Sequence, residues 1–219
     1  GTGSTNPSFI EIFGYAPSNF EGNPDLAPEK SVNLDLGLEH TLFKNNLIDL
    51  TIFSAKLKDE IITVFDPLSF KSNSINNDQQ SDRIGLELSA MGYLRENWSA
   101  KASYTHLKAE DGNNLEEIRR PKHNGSLNLN YRSNSQKANI NVAAIFNGEQ
   151  RDLEFVASTP ATTIRLPAYR LINLSISYAF SSKLTTRLKI RNLMDSEYSE
   201  IFSYRGPGRS IVAGLEYTF

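Results

Sequence analysis

Apolar and polar residues alternate with a period of two through most of this chain. Val32, Leu34, Leu36 and Leu38 alternate with Asn33, Asp35, Gly37 and Glu39. The same pattern recurs at Ile48–Ile52, Leu86–Ala90, Trp98–Tyr104, Leu127–Tyr131, Ala138–Phe146, Ile172–Tyr178, Leu184–Ile190 and Ile211–Phe219. Period two places every second side chain on one face of an extended chain, so the pattern predicts roughly nine strands, most of about ten residues or more. Connector lengths alternate as well. Lys44–Asn46, Arg95–Asn97, Ser133–Gln136 and Ser181–Lys183 read as tight turns. Asp66–Ser81, Ala109–Pro121, Gly148–Pro167 and Asp195–Gly208 read as long polar loops, and Gly1–Glu29 as a further long, mostly irregular stretch. A hairpin array with tight turns on one side and long loops on the other produces this alternation, as in outer-membrane barrels.

The apolar phase of these stripes carries no Asp, Glu, Lys or Arg. The interleaved phase carries Asp35, Glu39, Asp49, Glu87, Lys101, Arg187, Lys189, Arg191 and Glu216. Lipid requires a charge-free face, because Lys or Arg at mid-bilayer costs roughly 2–4 kcal/mol. Phe43, Trp98, Tyr131, Tyr178, Phe180, Tyr217 and Phe219 all lie beside tight turns or the C-terminus. They form an aromatic girdle at one sheet edge, where amphipathic rings favour the headgroup level. A β-sandwich core would not gather its rings at one edge.

Composition narrows the classes further. The net charge of −2 gives no global attraction to nucleic acid, and the absence of cysteine excludes disulfides and thiol chemistry. No apolar run is long enough for a membrane helix. Gly1, with no initiator Met and no signal peptide, is expected of a fragment or a processed product. An odd number of antiparallel strands cannot close a ring. The chain is therefore expected to be part of a larger barrel, or to hold a tenth strand near Phe9–Phe13.

Several segments resemble the TonB-dependent outer-membrane receptors. Asn192-Leu193-Met194-Asp195-Ser196-Glu197-Tyr198 is similar to that family's Asn-Leu-Phe-Asp-x-x-Tyr segment, with Met194 in place of Phe. Gly206-Pro207-Gly208-Arg209 followed by alternation to Phe219 resembles its closing strand. Asn23-Pro24-Asp25-Leu26-Ala27-Pro28-Glu29-Lys30-Ser31 resembles its Asn-Pro-x-Leu-x-Pro-Glu-x-Ser element. The resemblance implies an all-β, antiparallel transmembrane β-barrel. This chain would supply about the last 9–10 of roughly 22 strands, around a plug that lies outside this sequence. Residues 1–28 would be an extracellular loop segment and 29–219 the C-terminal portion of the barrel. The implied function is TonB-dependent active uptake of a ferric siderophore or cobalamin across the bacterial outer membrane, with the compact loops favouring cobalamin. The implied partners are outer-membrane lipid and lipopolysaccharide, the TonB complex through the plug, and the barrel-assembly machinery at Phe219. No cofactor and no catalytic role are expected. A small complete pore or adhesin barrel of about ten strands is the competing architecture.

The remaining polar residues give less. The loop aromatics Tyr15, Phe20, Phe65, Phe70, Phe155 and Tyr204 are candidate ligand contacts, since exposed rings on loops often bind. Glu116-Glu117 and Arg119-Arg120-Lys122 read as a solvated loop with local ion pairs, or as a contact for an anionic ligand or lipopolysaccharide phosphate. Arg187, Lys189 and Arg191 alternate on one strand and are expected to face the lumen. His106 and His123 flank one loop, yet two histidines without a third ligand do not make a metal site by sequence. Asp111-Gly112-Asn113-Asn114 lacks the terminal Glu of a calcium loop.

Overall fold

The computed structural model describes residues 1–219 apart from Pro17, Lys44 and Thr159. Lys44, in the first expected turn, thus lies outside the described residues, as do Pro17 and Thr159 in two expected long connectors. In chain order the elements are β1 (Thr2–Thr5), α1 (Phe9–Phe13), β2 (Phe20–Glu21), β3 (Glu29–Leu42), β4 (Asn46–Lys58), β5 (Ile61–Asp66) and β6 (Lys71–Asn76). There follow β7 (Ser81–Arg95), β8 (Trp98–Glu110), β9 (His123–Arg132), β10 (Ala138–Asn147), β11 (Gln150–Glu154) and β12 (Thr162–Leu166). The chain ends with β13 (Tyr169–Ala179), β14 (Leu184–Arg191), β15 (Ser199–Ile201), β16 (Tyr204–Arg205) and β17 (Ser210–Tyr217).

Ten strands form one sheet in the order β1-β3-β4-β7-β8-β9-β10-β13-β14-β17. Every pairing in it is antiparallel. The nine strands predicted from alternation are all present. The tenth lies at Thr2–Thr5, not at Phe9–Phe13. Phe9–Phe13 is helical because Ser8 and Glu11 form a reciprocal capping box. The Ser8 N–H donates to Glu11 Oε2 at 2.6 Å, and Glu11 N–H donates to Ser8 Oγ at 3.3 Å. Satisfying two end donors at once outweighs a five-residue apolar pattern. The strands β1 and β17 lie at opposite ends of the sheet order.

The tight turns fall on one side, as expected. The opposite loops are more structured than predicted. The β4–β7 connection holds the hairpin β5–β6, with β2 added in parallel to β6. The β10–β13 and β14–β17 connections hold the hairpins β11–β12 and β15–β16. Of these strands, β6, β11, β15 and β16 carry too few apolar residues to stand out against polar loop sequence, and β5 is apolar in both phases and so shows no alternation.

Burial is inverted. Among the described residues, Ala109 and Leu166 are the only buried apolar residues, whereas Ser74, Ser81, Gln150, Asp152 and Asn192 are buried. Val32, Leu34, Leu36, Leu38, Ile52, Leu88, Leu127, Ile211 and Leu215 stand exposed on the charge-free face. A water-soluble fold of this size buries its large apolar side chains. Here that face is left for lipid. Paired rings border it on the turn side: Trp98 with Tyr131 at 4.9 Å, Tyr178 with Phe180 at 4.8 Å and Tyr217 with Phe219 at 5.2 Å. The opposite face is polar. Ser99, Asn130, Asn141, Ser175 and Lys189 align across five neighbouring strands.

Leu88 sits near the middle of β7 between Leu50 and Tyr104 on the apolar face, while Ser89 faces the other way between Asp49 and Ser103. We therefore expect Leu88→Arg to destabilise the barrel in lipid vesicles by about 2–4 kcal/mol. Ser89→Arg, which meets Asp49, should cost far less. Urea titration of folding into vesicles measures both, and equal costs would refute the assignment of faces.

Candidate ligand-facing site at the loop end

A charged cleft of about 450 Å³ opens where the long loops converge. Its walls include Glu60, Arg83, Glu116, Glu117, Arg120 and Arg151. Arg83 belongs to the same phase of β7 as Glu87 and so projects from the polar face of the sheet. Its Nε donates to Glu117 at 2.8 Å and its Nη2 to Glu60 at 3.3 Å. Arg120 also meets Glu117, at 3.4 Å. Glu116 takes Lys122 and, at 3.2 Å, Arg165 of β12, while Arg151 of β11 donates to the Glu116 carbonyl. The hydrogen bond from Lys122 holds the Glu116 carboxyl below its ordinary value of 4.5 against the opposing effect of burial, with the charges of Lys122 and Arg165 adding to it. The charged loop therefore does form ion pairs, and they reach neighbouring loops and not only the loop's own residues.

Asp152 is the centre of the second tie. Its side chain is fully buried. Arg119 Nε donates to Oδ1 at 2.8 Å, the Leu153 N–H donates to the same oxygen at 2.8 Å, and the Phe202 N–H donates to Oδ2 at 2.6 Å. One carboxylate thus joins the loop before β9, the hairpin β11–β12 and the hairpin β15–β16. Burial pushes its pKa up, but the Phe202 and Leu153 N–H groups together with Arg119 outweigh it. The net position is below 3.8. Gln150 adds a third link by donating to the Glu200 carbonyl at 2.8 Å.

The candidate contact residues are not gathered into one site. Tyr15 and Phe20 stack at 5.4 Å and line a cleft of about 290 Å³ with Phe13, Glu21 and Lys71. Phe65 and Phe70 meet edge to face at 6.2 Å on the β5–β6 hairpin. Phe155 packs on Phe202 at 5.9 Å, and Tyr204 stands exposed. Arg119 and Arg120 are engaged by Asp152 and Glu117. Arg187 pairs with Glu216 of the neighbouring strand. Among the described residues, no ion pair involves Lys189 or Arg191. Asp152, Arg83, Glu60 and Arg151 were not singled out from the sequence. Nothing local marks them, since each has a partner more than twenty positions away that the sequence does not place beside it.

The motif residues act as staples that set this loop end. Asn23 Nδ2 donates to the Ser74 carbonyl at 3.0 Å and its Oδ1 accepts the Asp25 N–H at 3.0 Å. Glu29 Oε1 accepts the Ile61 N–H at 2.8 Å. Leu26, Pro24 and Pro28 lie between these anchors, where each proline keeps its predecessor extended. The buried Asn192 donates to the carbonyls of Ser196 at 2.9 Å and Pro207 at 3.2 Å, and accepts the Ser196 N–H at 2.9 Å. The Leu193 N–H donates to the Ile172 carbonyl at 2.7 Å. Asp195 Oδ1 accepts the Arg209 N–H at 2.6 Å, beside Gly208. Tyr198 lies over Gly206, where a Cβ would come within 2.3 Å of its ring.

A family model described as TonB dependent receptor-like, beta-barrel, matches residues 1–193. The chain is 30% identical over its full length to a vitamin B12 transporter BtuB of Photobacterium profundum, and covers 34% of that protein. It is 26% identical to an iron-regulated outer membrane virulence protein of Vibrio cholerae, over 92% of the chain and 33% of that protein. The chain thus spans about a third of the length of these curated relatives. Among solved structures, the copper transporter OprC superposes with a TM-score of 0.78 at 17% identity, over 100% of this chain and 36% of that one. The ferripyoverdine receptor of Pseudomonas aeruginosa gives 0.76 at 16% identity, over 99% and 30%.

Asp152→Ala leaves two part-buried N–H donors and one guanidinium without their acceptor. We expect local opening of the three loops to become easier by about 2 kcal/mol, roughly 30-fold in amide exchange at Leu153 and Phe202. Because the folded pKa lies below 3.8, the tie contributes fully above that value and is lost as pH falls through the lower folded value. Loop cleavage by pepsin should therefore rise steeply at acid pH in the unmodified protein. In Asp152→Asn it should depend less on pH. Equal acid profiles for the two would exclude Asp152 as the latch.

Proposed function

The chain belongs to the TonB-dependent receptor β-barrel family, an outer-membrane location follows, and from that premise we propose that it forms part of an energised nutrient receptor. Residues 29–219 make the C-terminal portion of the barrel wall, and residues 1–28 make an extracellular segment whose β1 extends the sheet. The whole receptor takes up a scarce, bulky nutrient, a ferric siderophore or cobalamin, through TonB acting on a plug supplied by the rest of the polypeptide. Outer-membrane lipid and lipopolysaccharide surround the apolar face. The barrel-assembly machinery engages the terminal strand at Phe219.

The observation that carries this reading is the family match over residues 1–193 on a sheet whose apolar face is exposed and whose opposite face is polar. The coverage of about a third supports a larger parent barrel. An open sheet edge is not tolerated in hydrocarbon, so β17 and β3, which β1 covers only at Glu29–Val32, need neighbouring strands. Ligand identity is the finer part of the proposal. The relatives' names cover both vitamin B12 and ferric pyoverdine, so the barrel frame is compatible with either. Within the frame, the charged cleft and the aromatic pairs are the surfaces that face an incoming solute. The small complete barrel of ten strands is disfavoured, because β1 and β17 are separate edges.

Two measurements test the proposal. The native polypeptide carrying this sequence should have about three times the 24.5 kDa of this chain. Whole cells should accumulate labelled cobalamin or a labelled ferric siderophore only with TonB present. A native mass near 24.5 kDa, or uptake that persists without TonB, would overturn active transport and favour a passive pore.

A further inference from the structure

The register of β8 and β9 sets two histidines side by side on the outward face. His106 pairs with His123, and the Leu107 N–H donates to the Lys122 carbonyl at 2.9 Å. That bond marks His106 and His123 as a non-hydrogen-bonded pair, the kind in which facing side chains approach most closely. The imidazole centroids are 4.7 Å apart, and the two Nδ1 atoms are separated by 3.4 Å. The hydroxyl of Tyr104, two residues before His106 on the same face, lies 2.7 Å from His123 Nδ1. Gly125 stands opposite Tyr104, and a Cβ there would approach the Ser103 carbonyl to 2.9 Å and the Tyr104 ring to 3.8 Å. The missing side chain at Gly125 leaves the phenol room to lean toward His123.

We propose that His106 and His123 bind a divalent transition-metal ion of the Zn²⁺ or Cu²⁺ class on the outer rim of the barrel. Two nitrogens each about 2.05 Å from a tetrahedral metal stand about 3.3 Å apart, which is the spacing of these Nδ1 atoms. A metal takes the Nδ1 lone pair of each ring, so each bound imidazole carries its proton on Nε2. Among the described residues no third histidine or carboxylate joins the pair. The other positions fall to the Tyr104 hydroxyl and water. The lack of carboxylates selects against Ca²⁺ and Mg²⁺ and for imidazole-preferring metals. The ion sits where the apolar stripe of Tyr104 and Leu127 ends and the loops begin. This places it outside the lumen, so metal binding and transport can fail separately.

The test uses the whole receptor purified in detergent after chelator treatment. Calorimetry with ZnCl₂ should show one equivalent bound, and Cu²⁺ at one equivalent should give an electron paramagnetic resonance spectrum with two equatorial imidazole nitrogens. His106→Ala and His123→Ala should each weaken binding at least tenfold, whereas His40→Ala, a lone outward histidine on β3, should not. Heat modifiability on gels confirms that each variant is folded. A copper spectrum without two nitrogens from the unmodified receptor would overturn the proposal whatever the variants do. So would Zn²⁺ binding that both histidine variants retain within twofold.

Discussion

Inside a bilayer, every backbone N–H and C=O of a spanning segment must find a partner within the protein, because hydrocarbon offers none. The ten-stranded antiparallel sheet answers that requirement for the sheet strands from β4 to β14, and β17 and the part of β3 beyond Asn33 present the open edges. The rest of the architecture follows. Since pairing with neighbours occupies the strand edges, the side chains are left to solve the two faces separately. The outward face is free of charge along its apolar stripes, with Lys30, Lys56, Lys58, Asp82, Lys108 and Glu110 of the same phase gathered at the loop end, and the inward face is polar. With just two apolar residues buried among those described, lipid takes the place that a hydrophobic core holds in a soluble protein.

That solution leaves the loop end without a core of its own. Polar ties supply the order instead. Asp152 gathers three segments through one carboxylate, and Glu117 and Glu116 bind arginines from β7 and β12. Such ties hold because the donors are backbone N–H groups and guanidinium forks in partly dry surroundings, where charge-assisted hydrogen bonds are strong. The motif segments belong to the same scheme. Asn23, Glu29, Asn192 and Asp195 serve as acceptors and donors that pin loop backbone to the strand ends. They fix the loop end on which the charged cleft and the aromatic pairs are set.

The apolar–polar alternation determined the strands, their faces, the side on which the tight turns lie and the aromatic border, because period-two patterning is local and needs no partner to be read. The resemblance of the Asn192–Tyr198 and Asn23–Ser31 segments pointed to the family. Tertiary structure decided the rest. A capping box converted Phe9–Phe13 into a helix and left Thr2–Thr5 as the tenth strand. The loops proved to carry their own hairpins, since β5 is apolar in both phases and β6, β11, β15 and β16 hold few apolar residues, so alternation does not mark them. The partners of Arg119 and Arg83, the burial of Asp152 and the meeting of His106 with His123 all depend on register between segments distant in sequence. Register is a pairwise property of two strands. It cannot be read from either alone.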